Sequence, residues 1–393
     1  MNTSTNKTIS NIVFLLESPL TKRDKSRFGF DILIRNGFNV FYWDLTKILF
    51  PNWLNNVDIY QQVNDNLVVK FSSISEVIER IKLIKMPYFI SMIGYNLETN
   101  LIFRHLVKNK IPYSFIIDSH VFNENRSFIK RLKYMTYKKL LLGLSLRFNN
   151  YLSYLFSYPA DMVMIRGSNI NLKDIRINSS TTKLWLHSWD YDLFLSENHQ
   201  QIDVANNYAI FIDDYFPFHP DPIRYNVTSH EDSFEYYTEL CHFFEYVEKS
   251  QEVEIIIAAH PRSNPEMERD YYKGREIYIN KTNELVKNAK FVITSASTAV
   301  SFAVMYNKPI IFIITDRLLK TKFAFEIPKF SKYFGKTPIN ISKDLNGLEL
   351  SKELHVEKKL YDKYFIDFIK SPYGEEKLYW QSVAEYISNY NIN

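Results

Sequence analysis

Three apolar runs in the second half of the chain end in residues that could do chemistry. His260-Pro261-Arg262 follows the run Glu-Ile-Ile-Ile-Ala-Ala that begins at Glu254; Thr294, Ser295, Ser297 and Thr298 follow Phe291-Val292-Ile293; Thr315-Asp316 follow the run from Pro309 to Ile314. Polar residues placed this way mark the ligand-binding edge of an open parallel sheet, because ligands sit beyond the carboxyl ends of the strands. A histidine before proline is held extended, so the His260 imidazole can be aimed at a phosphate or leaving-group oxygen. Arg262 adds a bidentate phosphate partner. Four hydroxyl residues within five positions, at a strand-to-helix passage expected to open a helix at Ala296, exceed the single residue that ordinary helix capping needs. Their hydroxyls and the free amides of the first turn suit a phosphate without a glycine-rich loop.

A fourth feature lies upstream. Asp213-Asp214 close the first apolar run of the second half, Tyr208 to Ile212. Adjacent carboxylates there suit a general base for an acceptor hydroxyl, each tuned by the other's charge; the alternative is a turn opened by Asp. A metal site is not expected at this pair.

The elements that must carry these residues alternate. Apolar runs at 11–16, 38–43, 67–71, 88–93, 113–117, 161–165 and 182–186 read as strands, with helical spacing at 20–36, 75–85 and 99–108. The pattern restarts at Tyr208, with a long helix from Glu231 to Ser250 and strands entering each polar cluster. Strand-helix-strand alternation implies a parallel sheet with helices on both faces. Two such halves predict an α/β protein of two Rossmann-like domains. The polar stretch 196–207 marks the linker, giving 1–200, 201–355 and a C-terminal helical segment, 356–393, that packs back on the first domain.

Composition narrows the classes. The 393 residues carry a net charge of +4 and a 46% hydrophobic share, which fits folded domains and lends no support to nucleic-acid binding. One cysteine, Cys241, excludes an internal disulfide or a multi-cysteine zinc site and suits a reducing compartment. No signal-peptide pattern or membrane-length apolar run is visible. Nine glycines never fall as Gly-x-Gly, which removes the dinucleotide fingerprint and the P-loop. Residues 126–158 are basic and aromatic without one acidic side chain. They read either as an amphipathic pair on an anionic membrane or as a solvated basic face.

Taken together, the order Asp213-Asp214-Tyr215, His260-Pro261, Ser295 to Thr298 resembles bacterial sialyltransferases and polysialyltransferases of the GT-B glycosyltransferase architecture. Kdo transferases and the CDP-glycerol transferases of teichoic acid synthesis show a related His-Pro and Ser-Ser pattern. The resemblance implies that an acidic residue is the base, that His260 meets the donor phosphate and that the Ser/Thr pair contacts it. Tyr215 departs from the pattern, standing where those families have Gly. Glu17, Asp118 and His120, at strand ends of the first half, therefore compete for the role of base on the acceptor side. The implied protein is a cytoplasmic, membrane-peripheral glycosyltransferase that needs no metal or other cofactor. It would move a CMP-activated acidic sugar onto a glycan or lipid-linked acceptor of a surface polysaccharide such as lipopolysaccharide or capsule. The alternatives are a UDP- or dTDP-sugar transferase, a CDP-glycerol-type phosphotransferase, a nucleotide-sugar epimerase and a non-catalytic assembly subunit.

Overall fold

The structure, a computed structural model, describes residues 9–51, 62–119, 158–196, 207–218, 233–263, 270–321 and 323–390. His120 and nearly all of the basic segment 126–158 lie outside the described residues.

The chain forms two compact units, Met1–Leu186 with Tyr373–Asn393, and His187–Pro372. In the first, seven strands pair in parallel: β1 (Asn11–Leu16), β2 (Asn39–Asp44), β3 (Val68–Lys70), β4 (Pro87–Ser91), β5 (Tyr113–Asp118), β6 (Met162–Arg166) and β7 (Thr182–Leu186). Their spatial order is β3-β2-β1-β4-β5-β6-β7. In the second, β8 (Tyr208–Ile212), β9 (Glu254–Ala259), β10 (Ile277–Ile279), β11 (Val292–Thr294), β12 (Ile310–Ile314) and β13 (Ile339–Asn340) are also parallel, in the order β10-β9-β8-β11-β12-β13. Counted from its own first strand, each sheet begins 3-2-1-4-5-6, the doubly wound order.

Strand sequences explain the sheets. β1, β4, β8 and β12 are buried along nearly their whole length, and strands covered on both faces are near-continuous apolar runs rather than alternating ones. Helices supply the covering. Asn96 caps Leu97–Lys108 in a capping box with Thr99, and Ser73 caps Ile74–Leu83. The helix Ser233–Gln251 buries Tyr236, Tyr237, Leu240, Cys241, Phe243, Phe244 and Val247 in the core of the second unit, with Phe211, Ile257 and Ile293.

Two boundaries differ from the sequence expectation. The first unit ends at Leu186 rather than near 200, because the segment after it is bound to the second unit. His187 bridges Lys370, Ser188 N–H donates to Ile369 at 2.7 Å, and the helix Trp189–Leu195 packs on Val300–Met305 and Thr282–Asn288. The return to the first unit comes at Tyr373 rather than 356. The helix Lys358–Tyr364 and the π-turn Phe365–Ile369 stay in the second unit, where Tyr361 donates to Lys308 carbonyl at 2.8 Å. Only the last helix, Tyr379–Ser388, packs on the first unit, against Phe30–Arg35.

That last contact explains a further correction. The single helix expected over 20–36 is two short ones, Lys22–Arg27 and Phe30–Arg35, separated by Gly29 at φ +66°. A Cβ on Gly29 would fall inside the Trp380 indole. The same indole donates Nε1–H to the Arg27 carbonyl at 2.5 Å and meets Phe14 edge-on at 5.4 Å. The glycine breaks the helix and makes room for the C-terminal segment.

Candidate active site

In a doubly wound sheet the segments leaving the first and fourth strands diverge, and the crevice between them is where ligands bind. In the second unit those segments begin at Asp213 after β8 and at Ser295 after β11. His260 leaves β9, the other neighbour of β8. The sheet therefore brings Asp213-Asp214, His260 and Thr294-Ser295 to one edge.

Asp214 ties the two diverging segments together. Its Oδ2 accepts the Ser295 and Ala296 N–H groups at 3.2 and 3.1 Å. These are amides that the sequence reading left free for a phosphate; they are already occupied by this carboxylate. The helix they were expected to open begins later, at Val300. Burial raises the Asp214 carboxyl to about 7, assisted by the charge of Asp213 and opposed by the Ala296 and Ser295 amides and the Thr294 hydroxyl.

Asp213 is only 1% exposed. Its Oδ1 accepts Tyr215 N–H at 2.8 Å, while Oδ2 makes no hydrogen bond among the described residues. Burial pushes this carboxyl up to about 6, against the opposing pull of Tyr215 N–H and the nearby Tyr272 hydroxyl. A base poised near neutrality is what proton abstraction at ordinary pH requires. Of the two residues, Asp213 is buried and Asp214 is half-buried.

His260 is held through Nδ1 and lies beside an offset parallel aromatic ring. Its Nδ1 accepts Arg262 N–H at 3.2 Å, so a neutral imidazole carries its proton on Nε2 and presents a donor there. The Tyr215 ring lies parallel to it, 8° apart in plane with centroids 5.9 Å apart. Pro261 and Arg262 are half-buried in the same turn, and Ser263 N–H closes it onto the His260 carbonyl at 2.9 Å.

The four hydroxyl residues separate. Thr294 and Ser295 are buried, Ser297 is half-buried and Thr298 is exposed. Thr294 Oγ1 accepts Ser297 N–H at 3.4 Å, and the Thr298 carbonyl accepts the Ser301 hydroxyl at 2.9 Å. The third polar strand end is structural: Thr315 Oγ1 caps Leu318 N–H at 3.1 Å, and Asp316 binds Asn340 at 2.6 Å and Lys343 at 2.8 Å.

In the first unit, Glu17 leaves β1 and accepts Gly94 N–H at 3.3 Å. Asp118, at the end of β5, is engaged through both oxygens by the Arg166 guanidinium on the adjacent strand. Both carboxylate oxygens of Asp118 are thus taken up by Arg166.

Sequence reasoning missed the backbone of Tyr215. At φ +57° it is in the left-handed region, which costs a side-chain-bearing residue roughly 1–2 kcal/mol. The signal was present in the motif, since Tyr215 occupies the position that is Gly in the resembling families. Tyr272, which lies beside Asp213, had no local signature.

No protein-family model and no curated protein matches this chain. Among solved structures, two histidine variants of the wall teichoic acid polymerase TagF superpose with TM-scores of 0.52 and 0.50. Both are 12% identical, covering 98% and 96% of this chain and 90% and 88% of theirs. MurG of Acinetobacter baumannii gives 0.44 at 14% identity over 96% of this chain and 99% of its own. The UDP-GlcNAc 2-epimerase of Methanocaldococcus jannaschii gives 0.48 at 12% over 97% and 99%. The TagF likeness and the two doubly wound sheets establish the fold, which is α/β with two Rossmann-like units of the GT-B type.

Proposed function

We propose that this chain is a group transferase that uses a nucleotide-activated donor and an acceptor hydroxyl of a surface glycan or its lipid-linked precursor. The observation that carries the reading is the convergence, at one switch point, of a proton-accepting acid pair (Asp213, Asp214) with a histidine fixed as an Nε2–H donor and an adjacent arginine. In the reaction, Asp214 takes the acceptor proton as the acceptor oxygen bonds to the transferred group. The bond from that group to the nucleotide phosphate breaks, and the negative charge on the departing phosphate is met by His260 and Arg262. No metal or other cofactor is required in this reading, since those two side chains supply the charge stabilisation.

The donor we favour is a nucleoside diphosphate carrying a neutral group, a UDP- or dTDP-sugar or a CDP-polyol, over the CMP-linked acidic sugar. A donor sugar with its own carboxylate would bring a third acid to a pair already pushed towards protonation by burial and mutual charge. The likeness in fold to a wall teichoic acid polymerase and the His260-Pro261 motif support the same direction. Among the described residues no helix is long and apolar enough to cross a membrane. In our reading, contact with an anionic membrane surface falls to the basic segment 126–158, with the enzyme on the cytoplasmic side.

The test is a thermal-shift series with UDP, dTDP, CDP and CMP, followed by mass-spectrometric transfer assays with the matching donors. Stabilisation by a diphosphate and none by CMP supports this reading. A shift with CMP alone restores the acidic-sugar donor. Conversion of a nucleotide sugar without any acceptor replaces the transferase with an epimerase.

A further inference from the structure

Tyr215 links the acid pair to the histidine. Its left-handed backbone turns its N–H back onto Asp213 Oδ1 at 2.8 Å, and its carbonyl accepts Phe218 N–H at 3.1 Å, closing the turn. From the same residue the ring projects against the His260 imidazole, in parallel planes, and against Phe218 at a centroid distance of 5.6 Å. A glycine would keep the backbone conformation and the bond to Asp213 and would lose both ring contacts. The ring is the part of this residue that the turn itself does not need.

From this geometry we propose that Tyr215 is a positioning residue for His260. Its ring lies against the imidazole in a parallel, offset plane while Arg262 N–H fixes Nδ1, so that the two contacts act together on the ring plane and the Nε2–H tautomer. Either contact alone leaves a rotation: the hydrogen bond permits the plane to tilt about the N–H axis, and the stacked ring permits an in-plane turn or a flip. Together they leave one orientation, which is the condition for a donor that must meet charge developing on a leaving oxygen. The role in turnover rests on the proposed function; the effect on the imidazole does not.

The experiment compares wild type, Tyr215→Gly and Tyr215→Phe by ¹⁵N correlation spectra of labelled histidine, with His260 assigned from His260→Gln, and by transfer kinetics. Wild type is expected to show His260 in the Nε2–H tautomer, and Tyr215→Gly a mixed or averaged signature. With the ring lost, kcat should fall about tenfold, within the loss that a small misplacement causes, while the donor KM changes less than about twofold. Tyr215→Phe, which keeps the stacked face, should restore the spectrum and most of the rate. Because glycine is at ease at this φ, loss of folding is not the expected result, and an unchanged melting curve checks it. Wild-type nitrogen shifts in Tyr215→Gly overturn the proposal, as does a changed signature with unchanged kcat. A changed signature in a protein that transfers nothing from any donor sustains the positioning of His260 and removes the transferase reading instead.

Discussion

The two sheets solve one problem in two ways. Each has the same strand order, and in each an acid that follows the first strand accepts backbone N–H from the segment that follows the fourth. In the first unit Glu17 accepts Gly94 N–H at 3.3 Å. In the second, Asp214 accepts the N–H groups of Ser295 and Ala296 at 3.2 and 3.1 Å. Diverging segments leave peptide N–H groups without ladder partners, and a carboxylate is a strong way to satisfy them. The difference lies in what stands beside the acid. Asp214 has a second, buried carboxyl next to it in sequence, and the two are pushed to about 7 and 6. The capping role is common to both sheets; the buried carboxyl beside the capping acid belongs to the second.

The comparison can be broken most directly by neutralising each acid. Asp214→Asn keeps an oxygen for the two amides and removes the proposed base, so transfer should fall by about 10²–10⁴-fold with the melting temperature little changed. Glu17→Gln, assayed in parallel, should cost less than about tenfold. Comparable losses in the two would mean that both switch points take part in chemistry.

Next in size is the device that closes the first sheet. Gly29→Ala places a methyl in the Trp380 indole at a left-handed position, which should destabilise the first unit by about 3 kcal/mol. Calorimetry should show the first unit melting earlier while nucleotide-induced stabilisation of the second persists.

A somewhat smaller effect separates the acids by pH. Asp213 has its folded value raised to about 6 from the ordinary carboxylate range, so the folded state binds the proton more tightly than the unfolded chain. The stability linked to it is fully present below about pH 4 and is lost as pH rises through about 6, by roughly 3 kcal/mol at most. Asp213→Asn should remove that loss, so that its urea midpoint relative to wild type rises between pH 4 and pH 7.5. A parallel pH response in both proteins would show that burial does not perturb Asp213. The smallest expected effect is at Arg166→Met, which releases Asp118 from its ion pair and should cost about 1 kcal/mol in denaturant melts.

Much of this was legible before the fold. The apolar runs of β1, β8 and β12 announce strands because a strand covered on both faces has no polar side to show. The restart at Tyr208 announces a second sheet, and Asp213, Asp214 and His260 were identified from their places at strand ends. Other features were not legible. Gly29 reads as one weak residue inside a helical pattern until Trp380, 351 positions away, is found packed on it. The division at His187 depends on its pairing with Lys370, and Thr315-Asp316 look like a ligand edge until Lys343 and Asn340 arrive to bind the aspartate.

The sequence by itself determined the two α/β halves and the residue types that meet at the edge of the second, because period, polarity and strand-end placement are local properties. Which groups are free, paired or protonated at that edge was decided only by the tertiary structure. The amides of Ser295 and Ala296 are filled by Asp214 rather than open, and Tyr215 turns left-handed to reach both Asp213 and His260; in the first unit, likewise, Asp118 is bound by Arg166. Hydrogen bonding and desolvation depend on neighbours brought from distant parts of the chain, and no local pattern encodes them.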